Sequence, residues 1–100
     1  MLRHIVFFKF KEFAEGAAMA ENIARGKAML LNLMGRVPSL LSMSAGANVT
    51  DNASAWDLAL VADFKDAEGL RQYVEHPEHK KVSEFMSKVR SERASVDFEF

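Results

Sequence analysis

Apolar and polar positions change period several times along the chain, and each change marks an element. Leu2 to Lys11 carries β-branched and aromatic residues with apolar side chains at alternating positions, which predicts a first strand. From Ala17 to Met34 the period lengthens. Ala20, Ile23, Leu30, Leu31 and Met34 fall on one helical face that Lys27 interrupts, so a long amphipathic helix is expected. Gly35 and Pro38 then stop and redirect the chain. Leu41, Met43, Ala45, Ala47 and Val49 alternate with small or polar residues as a second strand. Asp51, Asn52 and Ser54 form a turn cluster, which makes a hairpin with a third strand over Trp56 to Phe64. Asp66 is placed to cap the following helix, which turns Leu70, Tyr73 and Val74 inward. That helix ends near His76, because a residue before proline is pushed out of helical dihedrals. Pro77 suits a first helical turn, and Val82, Phe85, Met86 and Val89 carry a last helix to about Arg93. Val96 to Phe100 alternates as a closing strand.

The resulting order, βαββαβ with a broken second helix, is that of an α+β ferredoxin-like sandwich with a four-stranded antiparallel sheet. Its first and third strands are central, and here those two alone carry apolar residues on both faces. His4, Val6, Phe8, Trp56, Leu58, Leu60, Phe98 and Phe100 are expected to form the face that packs on the helices. Ile5, Phe7, Ala59 and Val61 lie on the other face, which a single helical layer leaves bare. The expectation is a homodimer, an α/β barrel whose two sheets close through those four residues.

Composition narrows the function classes. One hundred residues, 49% of them hydrophobic, are read as a single domain over 1–100 whose core is small enough to benefit from oligomerisation. A formal net charge of −1 with interspersed signs gives no basic footprint for nucleic acid or for a membrane surface. The βαββαβ order is shared with the RNA-recognition motif, but Trp56 to Phe64 lacks the glycine and exposed paired aromatics of that module. Without cysteine there are no disulfides or thiolate metal sites, which fits a reducing compartment. The amino terminus has too short an apolar run for a signal peptide or membrane span, so a cytoplasmic location is expected.

The chain resembles the stress-responsive A/B barrel family of dimeric α/β barrels over essentially its whole length. The matching residues are His4 to Lys11, Val37-Pro38, Gly46-Ala-Asn48, Trp56 to Phe64, Tyr73-x-x-His76-Pro77-x-His79 and Asp97-Phe98. The resemblance implies a homodimer with a central barrel. Members of the family include plant stress-induced proteins and a polyketide cyclase. In that cyclase a Tyr and a His at positions matching Tyr73 and His79 do the acid and base work, and a His matching His4 lines the pocket. Its pocket also has aromatics on the first helix, where this chain has Gly26, Lys27 and Leu30. The departure argues against a polyketide substrate.

The residues themselves allow two readings. A helix amino terminus disfavours a second positive charge, so His79 is expected to stay neutral and able to act as a base. Tyr73 can donate its hydroxyl to a developing enolate, with His4 as a positioning group. Equally, His79 can close a helix, Tyr73 can be a core aromatic and His4 a satisfied core histidine. The expected ligand pocket comprises His4, Val6, Phe8 and His76, and its ligand is a small organic molecule. His76, Glu78 and His79 have poor spacing for a metal, since Pro77 separates the two imidazoles, and neither metal nor cofactor is expected. The two readings are therefore a small-ligand barrel protein and a cofactor-independent, cyclase-like lyase.

Overall fold

A computed structural model describes all of residues 1–100. Strand β1 (Leu2–Phe10) is central. It pairs antiparallel with β5 (Leu58–Phe64) on one side and β6 (Arg90–Glu99) on the other, and β4 (Ser42–Ala47) completes the order β4-β5-β1-β6. This is the ferredoxin-like α+β arrangement, with the two doubly apolar strands in the middle. Helices α1 (Met19–Leu31), α2 (Ala67–Glu75) and α3 (Pro77–Val89) cover one face of the sheet. Under them, every second residue of β1 and β5 is buried, from Leu2, His4, Val6 and Phe8 to Leu60, Ala62 and Phe64. Tyr73, Val82, Met86 and Val89 meet those strands from the helices.

Several element ends differ from the periodicity. The first strand stops at Phe10, where the ladder with β6 is shifted by a bulge and the Asp57 carboxylate takes the Phe10 N–H at 2.8 Å. Ala17 and Ala18 (β3) do not begin the helix but pair with Phe13 and Ala14 (β2) in a small hairpin. Its turn residues, Glu15 and Gly16, have φ of 51° and 73°, the left-handed pair that such two-residue turns demand. Helix α1 ends at Leu31, although Leu33 and Val37 stay buried in the turns beyond it. The second strand covers only Ser42–Ala47, and Leu41 and Val49 at its expected ends are exposed.

The last strand brings the largest correction. Helix α3 ends at Val89, and β6 starts at Arg90. Register then decides its faces: Phe98 lies opposite Arg3 and Val96 opposite Ile5, so Phe98 sits on the open face, away from the helices. Phe100 joins it there, with the Arg3 guanidinium 4.5 Å from its ring centre. Trp56 precedes β5, which begins at Leu58, and its ring lies 6.3 Å from Phe7 and 5.2 Å from the Lys9 ammonium, also on the open side. Alternation alone cannot tell which face is which at a chain end; pairing with a neighbouring strand does. The open face thus carries Ile5, Phe7, Ala59 and Val61 as expected, extended by Ala94, Val96 and Phe98.

Polar groups close the edges of this frame. Arg3 grips Asp63 through Nε and Nη2 at 2.8 and 2.9 Å, and this guanidinium holds the Asp63 carboxyl below the usual carboxylate range. Asp66 Oδ1 accepts the Gly69 N–H at 2.9 Å and caps α2 as expected. Asp66→Ala should therefore cost about 1 kcal/mol of stability, seen as an earlier urea midpoint with an unchanged slope.

Candidate functional site

The break between α2 and α3 brings three ring side chains together. Tyr73 stands in the last turn of α2, where the apolar stripe turns it under the sheet, and only 1% of its surface is exposed. Its ring centre is 5.1 Å from Phe64, 6.4 Å from His4 and 4.4 Å from His79. His4 reaches this point because β1 alternation turns it inward, and His79 because it stands one turn before Val82 on the buried side of α3.

These rings open on a cavity of about 310 Å³ lined by His4, Val6, Phe8, Tyr73 and His79. Leu30, Leu60, Val82 and Met86 add apolar wall. The expected pocket residues His4, Val6 and Phe8 are thus brought together with the Tyr73 and His79 pair. His76 is not among the lining residues. Its Nδ1 instead accepts the Glu78 N–H at 3.1 Å and caps α3, the use left to a side chain at the position before a first-turn proline. Of the first-helix positions, only Leu30 lines the cavity. Gly26 serves packing, since a Cβ there would lie 2.9 Å from Met86 Sδ, so its bareness lets α3 approach α1.

Hydrogen bonding assigns each ring a form. His79 Nδ1 lies 3.2 Å from the Val74 carbonyl, which can only accept, so Nδ1 carries the proton and Nε2 keeps its lone pair in the neutral ring. Burial lowers the His79 pKa, opposed by the Val74 carbonyl, with His4, Arg93 and His76 adding to the lowering. Neutral imidazole is therefore the prevailing form at pH 7. Burial pushes the Tyr73 phenol well up, so it remains a donor. No protein group hydrogen-bonds its hydroxyl, yet the buried side-chain polar atoms left without a partner are only Asn22 Oδ1 and Ser39 Oγ, so the Tyr73 oxygen is open to solvent. His4 Nδ1 pairs with the Asp97 carboxylate, which stands opposite it in the β1–β6 ladder and sets the orientation of the ring.

Two lining residues, Arg90 and Arg93, escaped the periodicity because the helix was expected to run through them. The signal was present in the alternation of Arg93, Ser95 and Asp97, which becomes a polar inner face once the strand starts at Arg90. No three His, Cys, Asp or Glu side chains converge as metal ligands, and no helix is long and apolar enough to cross a membrane.

A family model described as the stress responsive A/B barrel domain matches residues 2–100. An uncharacterized protein of Streptomyces coelicolor is 31% identical over 80 residues, 79% of each chain. A dimeric ferredoxin-like protein of unknown function from Thermobifida fusca superposes with a TM-score of 0.85 at 25% identity, over 99% of this chain and 90% of that one. The hydroxynitrile lyase of Passiflora edulis has the same fold, with a TM-score of 0.77 at 19% identity over 97% and 90% of the two chains.

Proposed function

The chain belongs to the stress-responsive A/B barrel domain family, and from that premise we propose that it acts as a homodimer whose subunits each bind a small carbonyl compound and shift a proton on it. The observation that carries this reading is that Tyr73 and His79 line one cavity, one as a phenol and the other with a free ring nitrogen. His79 Nε2 takes a proton from the carbon beside the carbonyl, and the C–H electron pair moves into the carbon–carbon bond as the carbonyl π pair moves to oxygen. Tyr73 donates its hydroxyl to the enolate oxygen so formed, and His79 returns the proton to carbon. His4, held by Asp97, positions the group between them.

Dimerisation is supported by the apolar open face around Ile5, Phe7, Ala59 and Val61 and by the dimeric state of the Thermobifida fusca protein. That a hydroxynitrile lyase shares the fold is support at the level of architecture only. The mainly apolar wall favours a second reading, a carrier that binds its ligand without turnover.

Solvent deuterium exchange separates the two. With a ketone such as phenylacetone, the protein should speed exchange beside the carbonyl, followed by proton NMR. His79→Gln should reduce that acceleration by about 100- to 10,000-fold. The wild-type rate should hold down to the ordinary imidazole value of 6.5 and fall only at a pH below it, because His79 acts as the base only when neutral and burial shifts its pKa downward from that value. Ketones that raise the melting temperature yet show no exchange above buffer would discard the proton transfer and leave the carrier.

A further inference from the structure

The cavity is not electrically neutral. The register that turns Phe98 outward turns Arg93 inward, opposite Phe8, and sets Arg90 opposite Phe10, so that both guanidinium side chains line the cavity beside Tyr73 and His79. The other four arginines, Arg3, Arg25, Arg36 and Arg71, each pair with a carboxylate. Arg90 and Arg93 pair with none; the single side-chain contact of Arg93 is a long one of 3.5 Å to Ser95 Oγ. Of the two carboxylates on this side of β6, Asp97 is taken by His4 and Glu99 lies at the far end of the strand opposite Leu2, outside the cavity lining, while Glu92 lies by Lys9. Two cations thus stand at an apolar cavity with no acid to answer them. The charge of Arg93 is also felt inside, where it works against a positive His79 ring and favours an ionised Tyr73 phenol.

We propose that Arg90 and Arg93 form an anion subsite, and that the ligand is a small organic acid whose carboxylate they hold while its apolar body fills the cavity. A planar fork of N–H donors suits a carboxylate in a way that a lone ammonium does not. Resting on the proton-transfer reading, the substrate class becomes a keto acid, with carboxylate on the arginines and ketone towards Tyr73 and His79. The arginines supply binding and orientation, and the proton moves on His79 as before.

Calorimetric titration with matched acids and neutral analogues tests this. Phenylpyruvate should bind about 10- to 100-fold more tightly than its methyl ester, and benzoate more tightly than benzamide by a similar factor. That preference should shrink in high salt and disappear in Arg93→Gln and in the Arg90→Gln, Arg93→Gln double variant. Circular dichroism and melting of these variants should match the wild type, since neither arginine holds a charged partner in the fold and the Arg93 contact to Ser95 is long. Equal binding of acid and neutral analogue, or a preference that survives both substitutions, would overturn the subsite. His79→Gln should keep the preference while losing exchange, so the subsite stands or falls separately from the proton-transfer chemistry.

Discussion

Phe7→Lys is expected to leave the protein monomeric at micromolar concentration in light scattering, where the wild type should run as a dimer. Phe7 is an exposed large aromatic in the middle of the open sheet face, flanked across the ladders by Ala59 and Ala94. Its neighbours along that face, Ile5 and then Val61 and Val96, are apolar too. Covering such a surface with a second copy removes apolar area from water at roughly 25 cal/mol per Å². A lysine would place two unpaired ammonium groups in one closed interface, one from each subunit, and an uncompensated buried charge costs about 3–5 kcal/mol. The dissociation constant should rise by at least about a thousandfold. Because position 7 points away from the helices, the monomer should keep its own core, and far-ultraviolet circular dichroism should be nearly unchanged. A dimer that persists with Lys at position 7 would move the interface elsewhere.

Phe64→Ala should have the largest effect on stability within one subunit. Phe64 is fully buried at the end of β5, and its ring lies 5.1 Å from that of Tyr73. Truncating a buried phenylalanine costs about 3–5 kcal/mol, from lost transfer energy and the cavity left behind. In a marginally stable fold that is a large share of the total. The loss would also reach the site, because Tyr73 would lose the ring against which it is set. Urea unfolding should show the drop, and at concentrations where the variant is still folded the Tyr73-dependent exchange should fall as well. Phe64→Leu, which retains most of the volume, should recover most of both. Stability lost with exchange untouched would mean that Tyr73 needs no such support.

The legible parts of the fold were those where two independent patterns agree. Strands β1 and β5 show alternation and are apolar on both faces, which marks them as central whatever their exact ends. The Tyr73 to His79 segment was legible because Pro77 forces the helix break and helical spacing then turns both rings inward. His76 was misplaced because a chemically capable side chain and a capping side chain look identical until the unpaired N–H groups of the helix start are counted. The β2–β3 hairpin went unread because its strands are two residues each, too short for any period. For β6 the difficulty was different. Arg90 to Arg93 suit a helix as well as a strand, and only the ladder to β1 assigns them to the sheet.

That ladder limits how the protein can vary. Along β6 the odd positions Arg93, Ser95 and Asp97 face the helix side, and the even positions Ala94, Val96 and Phe98 face the open side. Inserting or deleting one residue between the bulge and Asp97 would exchange the two sets, sending Arg93 onto the open face and Phe98 onto the helix side. Substitutions can retune either side of β6 by itself, but a change of length would damage both together. Lineages of this protein should therefore differ in the residues of the strand while keeping their count.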